Sequence, residues 1–378
     1  MEVSCLQENL ARGLSIVNRA VATRSTLPVL SNIYLGTDGG RLKLAATNLE
    51  IGITCWVGAK VESEGATTVP ARLFSDLVNQ SPPERIEMAL HRRGEELRYR
   101  CAQVEATIKG IDAGEFPIIP TAEGEGAIHV PPGLLQEMIN QVAFAAATDD
   151  SRPILTGVLM DFNEDQLTLA AADGFRLSVR TARLEAPVAE NTRVIVPARA
   201  LNELARVIGD QEAPVAITVT PNRNQVLFHL ENVDLVSQLI EGNFPDYRQI
   251  IPKGSQTTTV VDSAALHKAV RRAYIFAHAA ANIVRLSIAA GQAGQPSQLT
   301  IRAEAAEIGD NVEALVAQVE GPEVEIAFNA RYLLDVLGVI GAAQTALETS
   351  SSSSPGIIRP VGGDGFTHVV MPMHIGAR

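Results

Sequence analysis

The chain has 378 residues, which is long for one hydrophobic core and favours two or three domains. Hydrophobic residues make up 46% of it, no apolar run nears the ~20 residues of a membrane-spanning helix, and the acidic start MEVSCLQENL is unlike a signal peptide. The net charge of −12 argues against gripping nucleic acid by the outer surface, because such proteins are normally basic. Three widely spaced cysteines without a CxxC pair predict a cytoplasmic protein that has no disulfide framework and no metal site.

The predicted elements occur in the same order three times. A helix with one apolar face comes first, with its apolar residues at Leu10, Leu14, Val17 and Val21, at Leu135, Met138, Val142 and Ala146, and at Leu266, Val270 and Ala273. Alternating strand segments follow, such as 42–44 and 167–169. A second helix is predicted next, where Pro70 and Pro197 suit a first helical turn and Asn329 suits an N-cap.

Internal repeats explain this order. The segment VPARLFSDLV at 69–78 recurs as VPARALNELA at 196–205 and FNARYLLDVL at 328–337. Two more segments, LPVLSNIYL and LKLAATNLEIG, also recur twice, each with offsets of about 125 and then about 130 residues. Three matches in one order at one spacing indicate three tandem copies of one α+β domain, each with two helices packed on an antiparallel sheet. Linkers rich in Pro and Gly set the predicted boundaries of these domains at 1–124, 125–253 and 254–378.

Basic residues concentrate on the predicted helices. Arg72, Arg199 and Arg331 occupy a matched position near the start of the second helix of each copy, while acidic residues dominate elsewhere. If the copies close into a ring with helices inside, the lining is mildly basic and the exterior acidic. Such a ring would hold DNA by enclosing it, and weak contacts would let it slide.

An enzyme is the rival class of function. The sequence has no P-loop, no GxGxxG after a strand, no GxSxG and no HExxH, and its seven histidines lack metal-ligand spacing. We therefore predict no catalytic residues, no cofactor and no metal. The repeats alone would also permit a ring-shaped or solenoid scaffold unrelated to DNA.

Five motifs carry a resemblance to a known family: TLPVLSN at 26–32, VPAR at 69–72 and 196–199, AADGFRL at 171–177, EGNFPDYRQIIP at 241–252 and VVMPM at 369–373. Over essentially its whole length the chain resembles the bacterial DNA polymerase III beta subunit, the sliding clamp family. The resemblance implies a ring-forming homodimer that encircles double-stranded DNA without sequence preference. It also implies partners with short apolar motifs: the replicative polymerase catalytic subunit, the clamp loader and other DNA-processing proteins.

The resemblance also implies site residues. The partner-peptide pocket is expected between the second and third domains, at Leu155, Ala172, Gly174, Phe175, Arg176, Leu177, Pro245, Ile250, Val369, Val370, Met371, Pro372 and Met373. The residues expected to face DNA are Arg24, Arg72, Arg152 and Arg199. The residues expected at the dimer interface are Ala106, Ile108, Ile275 and Phe276.

The chain departs from the family pattern at four of its positions. Ala172 and Phe175 stand where Thr and His are common, and Gln249 and His374 stand where a basic residue is common. These changes imply a less polar pocket with a different peptide preference. The chain also runs past the usual family end by residues 376–378.

Overall fold

The computed structural model describes residues 1–91, 96–121, 126–291 and 296–374. The chain forms two compact units, one made of 1–136 with 199–239 and the other of 137–198 with 240–378. The middle repeat therefore contributes strands to both units. This division could not be read from the repeat pattern, because the pattern does not say which strands pair.

The described residues contain six α-helices, two in each repeat, which confirms the predicted number. Their bounds are α1 Gln7–Val17, α2 Ala71–Gln80, α3 Pro132–Val142, α4 Ala198–Ile208, α5 Ser263–Ala277 and α6 Ala330–Leu337. The predicted apolar faces are buried within the helices, as Leu10, Leu14 and Val17 show in α1, but Val21 and Ala146 lie beyond the ends of α1 and α3.

The strands are numbered in chain order. The first repeat has β1 Glu2–Leu6, β2 Asn32–Asp38, β3 Arg41–Thr47, β4 Ile51–Val57, β5 Lys60–Ser63, β6 Ala66–Pro70, β7 Arg85–His91, β8 Glu96–Cys101 and β9 Val104–Lys109. The second has β10 Ile128–Val130, β11 Gly157–Asn163, β12 Gln166–Ala172, β13 Arg176–Arg183, β14 Thr192–Pro197, β15 Val215–Val219, β16 Gln225–His229 and β17 Val233–Gln238. The third has β18 Thr257–Asp262, β19 Ile283–Ala289, β20 Gln298–Ala305, β21 Gly309–Val316, β22 Gln318–Glu320, β23 Val324–Asn329, β24 Gln344–Thr349, β25 Gly356–Pro360 and β26 Phe366–Val370.

Both units are built on antiparallel sheets. The first unit has a five-stranded sheet, β5-β1-β7-β8-β9, and an eight-stranded sheet, β10-β15-β16-β17-β4-β3-β2-β6. The second unit has a nine-stranded sheet, β14-β11-β12-β13-β26-β25-β24-β18-β22, and a four-stranded sheet, β21-β20-β19-β23. In each unit one sheet crosses a repeat boundary, through the pair β4–β17 in the first and β13–β26 in the second.

The starts of the second helices differ in part from the prediction. Pro70 and Pro197 end strands β6 and β14, and each helix begins at the following alanine, so neither proline lies in a first helical turn. A strand end tolerates proline because its missing N–H need not continue the ladder. Asn329 is an N-cap as predicted, since its side chain accepts a hydrogen bond of 3.0 Å from the backbone N–H of Arg331.

The pair β13–β26 separates two apolar clusters in the second unit. Phe366 and Val370 belong to the core beneath α5 and α6. Leu177 and Val369 face each other across the ladder and belong to a second cluster. Because side chains alternate along a strand, this second cluster lies on the face of the sheet that is turned away from the helices.

The hairpin before β26 provides a test of this pairing. Gly365 and Gly362 both adopt left-handed backbone, with φ of 85° and 77°. A Cβ on Gly365 would lie 2.2 Å from the carbonyl oxygen of Thr181, whereas a Cβ on Gly362 would meet nothing within 4 Å. We expect Gly362→Ala to lower the free energy of unfolding by about 1 kcal/mol, from backbone strain alone. Gly365→Ala should cost about 3 kcal/mol, because the collision adds to the strain.

Urea denaturation of the two variants, followed by circular dichroism, measures the difference. Equal losses in both would show that the close approach of Gly365 to β13 does not exist in solution.

Candidate functional site

The residues predicted for the partner-peptide pocket gather in the second unit, at the end of the pair β13–β26, and we call the surface they form the pocket. Its floor is the second cluster, whose buried members are Leu159, Ala170, Ala172, Leu177, Val179, Ile195, Phe244, Tyr247, Ile357 and Val369. Ile154, Ile240 and Ile251 are half-buried against this floor. The segment 240–251, which follows β17, covers one side of the cluster and is held by a hydrogen bond of 2.9 Å from Ile240 N–H to the carbonyl of Ile195.

A tight turn forms the edge of the pocket. Gly174 has a φ of 94°, and the carboxylate of Asp173 accepts hydrogen bonds from the backbone N–H groups of Phe175 and Arg176 at 2.8 and 3.0 Å. The N–H of Met371 donates to the carbonyl of Phe175 at 2.8 Å, so the turn is joined to the chain segment after β26. The turn therefore holds Phe175 and Met371 side by side.

Exposed apolar side chains stand above the buried floor. Phe175 is 57% exposed, Ile250 is 42% exposed and Met371 is 39% exposed. Large exposed apolar groups next to an apolar cluster are typical of a surface that binds a partner.

The structure places the predicted pocket residues in four kinds of position. Ala172, Leu177 and Val369 are buried in the floor. Gly174, Phe175, Pro245, Ile250 and Met371 are exposed at the edge, and Leu155, Pro372 and Met373 are half-buried. Val370 belongs to the helix-side core, so it supports the sheet and does not line the pocket.

Arg176 fixes the turn from the helix side. Its guanidinium donates to the carboxylate of Asp173 at 3.0 Å, to that of Asp335 on α6 at 2.5 Å and to the carbonyl of Phe144 at 2.8 Å. The same group lies 4.4 Å from the ring centre of Tyr332. Because the side chain is only 10% exposed and binds two carboxylates, Arg176 positions the turn and offers little free charge to a ligand.

A buried histidine lies next to this clamp. His368 is fully buried, its Nδ1 lies 2.6 Å from Ser178 Oγ, and its ring stacks against Phe144 at 5.4 Å between centroids. Burial, and to a smaller extent the charge of Arg176, lowers the pKa of His368 to about 3. The histidine is therefore neutral near pH 7, and it supports the strand pair without adding charge.

Sequence reasoning missed several residues that build the pocket: Ile154, Asp173, Phe244, Tyr247, Tyr332 and Asp335. A signal for Phe244 was present, because FPDYRQIIP at 244–252 is matched by FPIIP at 116–120. No local signal pointed to Tyr332 and Asp335, which reach the site through the packing of α6.

The residues predicted to face DNA are all exposed, but two of them make contacts within the chain. Arg72 on α2 lies 3.8 Å from Asp76, in a pair so exposed that it contributes little. Arg152 donates to the carbonyl of Asp173 at 2.8 Å, so its guanidinium lies at the turn of the pocket. Arg24 and Arg199 form no ion pair with a described residue.

The residues predicted for the dimer interface lie on or next to sheet edges. Ala106 and Ile108 are on β9, the edge of the five-stranded sheet, where Ala106 is half-buried and Ile108 is only 4% exposed. Ile275 and Phe276 are on α5, which packs against β20 and the edge strand β21. Ile275 is 68% exposed and Phe276 is half-buried.

Comparison with known proteins shows the family to which the chain belongs. Models of the DNA polymerase III beta subunit match the chain with the N-terminal domain at 1–120, the central domain at 129–246 and the C-terminal domain at 248–374. The beta sliding clamp of Synechocystis sp. is 32% identical over 393 residues, which cover 99% of this chain and 100% of the relative. That of Bacillus subtilis is 31% identical over 383 residues, covering 99% of both.

Solved structures that resemble this chain point to the same family. The DNA polymerase sliding clamp of Bacillus subtilis has a TM-score of 0.92 and 30% identity, covering 99% of both chains. A sliding clamp from Pseudomonas aeruginosa bound to griselimycin has a TM-score of 0.91 and 30% identity, covering 99% of this chain and 100% of that one. The chain belongs to the DNA polymerase III beta subunit family.

Membership in the beta subunit family confirms the predicted fold class of three tandem clamp domains, and it makes the chain a non-catalytic processivity factor rather than an enzyme. The exact domain boundaries stay a prediction. In the part of the chain that the structure describes, no three His, Cys, Asp or Glu side chains come together as metal ligands, and no helix is long and apolar enough to cross a membrane. The predicted extension at 376–378 lies outside the described residues.

The pKa of His368 predicts how stability depends on pH. Above pH 6.5 the histidine is neutral in both states. As the pH falls below 6.5, the unfolded chain takes up a proton that the folded chain excludes down to about pH 3. The free energy of unfolding should therefore drop by about 1.4 kcal/mol per pH unit below 6.5 from this residue, or roughly 2 kcal/mol by pH 5.

The measurement compares urea midpoints at pH 7 and pH 5. His368→Gln should lose less stability than the wild type over this range, whereas the exposed His374→Gln should behave like the wild type. An identical loss of stability in all three proteins would show that His368 is not buried and neutral in the folded protein.

Proposed function

We propose that this chain closes as a homodimer into a ring around double-stranded DNA and tethers the replicative polymerase catalytic subunit through the pocket of the second unit. The observation that carries this proposal is the set of exposed apolar side chains above a buried apolar floor, in a chain of three clamp domains. The clamp loader and other proteins with short apolar motifs would use the same pocket. The predicted cytoplasmic location fits this function.

Sheet edges support ring closure. Strands β9 and β21 each have one unpaired side, and such edges pair with another chain unless they are protected. On β21, Val312 and Val316 are 49% and 72% exposed, and Ile275 on the adjacent helix is 68% exposed. Pairing of β9 from one copy with β21 of a second would cover these residues and close a two-fold dimer. Because Ile108 is buried, β9 would contribute mainly backbone and Ala106 to this interface.

The charges support loose contact with DNA. Arg24 and Arg199 are exposed and form no ion pair with a described residue, whereas Arg19 on the first helix exit is bound to Glu203 at 3.0 Å. A chain of net charge −12 would not hold DNA tightly from outside, because its field repels phosphates. Weak contacts with phosphates would allow the ring to slide while enclosure prevents escape.

The pocket supports an apolar peptide ligand. Arg176 binds both Asp173 and Asp335, so the charges of these three residues are satisfied within the chain. Phe175, Ile250 and Met371 are apolar groups left for a ligand, and the thioether of methionine adapts to different apolar side chains. The preference of this chain is thus expected to be more apolar than is usual in its family.

Changing Met371 tests the pocket. We expect Met371→Asp to weaken binding of a fluorescein-labelled apolar peptide at least about tenfold, because a carboxylate would be desolvated beside Phe175. Val361→Asp is the matched control, since Val361 is also in the second unit and is 40% exposed, close to the 39% of Met371. Fluorescence anisotropy gives both affinities. Equal affinities would place the docking site elsewhere.

Deletion from Val369 onward is a poorer test, because it would remove part of the central strand β26.

Retention on circular DNA tests enclosure. After loading with ATP and a clamp loader, the labelled protein should elute with a nicked circular plasmid in gel filtration at moderate salt. A single cut should release it, because the ring slides off the end. Ile275→Asp, which places a charge at the proposed interface, should abolish retention. Equal retention on circular and linear DNA would refute enclosure.

A further inference from the structure

The first unit contains a counterpart of the pocket. Its pair β4–β17 corresponds to β13–β26, because LKLAATNLEIG at 42–52 aligns with LTLAAADGFRL at 167–177. In the first unit the N–H of Gln238 donates to the carbonyl of Glu50 at 2.9 Å. This bond has the same place as the bond of 2.8 Å from Met371 to Phe175 in the second unit.

The surroundings of the two strand pairs also correspond. Phe116 packs against Tyr34 with ring centroids 5.6 Å apart, just as Phe244 shares a cluster with Leu159 at the matching position. Ile119 lies against Gly52, so closely that a Cβ on that glycine would be 3.0 Å from it. Short 3₁₀ helices, Pro28–Ser31 and Pro153–Thr156, precede β2 and β11. The two sites are therefore built by the same segments.

The counterpart site is apolar and exposed, although nothing in the family assignment requires it. Leu49 is 51% exposed and holds the position of Gly174. It keeps the left-handed backbone of that turn, with a φ of 76°, which a leucine rarely adopts. Leu27 is 49% exposed at the position of Arg152, and Ile118 is 96% exposed at the position of Ile250. Each segment of the site thus presents one large apolar side chain to solvent.

The charge of this surface differs from that of the pocket. Glu50 replaces Phe175, and Gln238 replaces Met371, and both are exposed. Glu115, next to Phe116, is also exposed, and neither glutamate forms an ion pair with a described residue. Arg24 is the nearest basic residue before Leu27. An apolar surface edged by free carboxylates favours a ligand that combines apolar side chains with positive charge.

We propose that Leu27, Leu49, Glu50, Ile118 and Gln238 form a second docking surface, which binds a short partner peptide carrying apolar residues flanked by lysine or arginine. The inference rests on the proposed use of the pocket by peptides, because the two sites share their construction. Each chain would then hold two peptides of different charge, one at the pocket and one at the second docking surface. Selection between them would come from Glu50 and Glu115, which repel acidic peptides.

The test uses two fluorescein-labelled peptides that share a Leu-Phe pair, one flanked by lysines and the other by glutamates. Anisotropy is measured on the Met371→Asp protein, whose pocket is blocked. The lysine peptide should bind, and the glutamate peptide should bind at least about tenfold more weakly. Adding Leu49→Asp should remove this binding, whereas Leu73→Asp, at a leucine of the same unit that is 53% exposed, should leave it unchanged.

A second variant separates binding from folding. Leu49→Gly relieves the left-handed strain and removes the side chain, so it should weaken the lysine peptide without lowering the denaturation midpoint. The second docking surface is overturned if the lysine peptide does not bind Met371→Asp, or if neither Leu49 variant weakens that binding. Either result would leave the pocket assignment intact. Loss of the pocket assignment would show differently, as equal affinity of the wild type and Met371→Asp for the glutamate peptide, which the second docking surface repels.

Discussion

The antiparallel ladder between β13 and β26 is the constraint on which the site depends. It runs from Arg176 opposite Val370 to Arg180 opposite Phe366, and it joins strands from two repeats in one sheet. One face of this ladder carries Leu177 and Val369, the floor of the pocket. Because alternate side chains point to opposite faces, a shift of one residue would turn the floor toward the helices. The register thus sets the pocket and the helix-side core together.

Polar groups on the helix side explain why the pocket can be almost purely apolar. Arg176 is satisfied by two carboxylates and a carbonyl, and Ser178 by the ring of His368. A buried charge without partners would be costly, so these bonds allow an arginine to sit beneath a hydrophobic surface. The result is a rigid turn at Gly174 whose outward groups are the backbone and Phe175. The ion pairs of Arg176 hold the turn in its conformation, and they do not attract the ligand.

The sequence predicts the repeated helices and strands well, because apolar periodicity and the recurring segments are local signals. It also predicts much of the apolar pocket, through the family resemblance. It fails where partners come from distant parts of the chain. Nothing local indicates that β17 pairs with β4, that Asp335 binds Arg176, or that Arg152 reaches the carbonyl of Asp173. Pro70 was misplaced because proline suits a strand end as well as a first helical turn.

Sheets that cross repeat boundaries have a consequence for synthesis on the ribosome. Strand β4 ends at Val57, but its partner β17 begins only at Val233. At a translation rate of about 5–20 residues per second, the nascent first repeat waits roughly ten seconds or more with the edge of β4 unpaired. An unpaired edge invites pairing with other chains on the same polysome. The long interval between the two strands therefore leaves the edge of β4 open to such pairing until β17 has been synthesised.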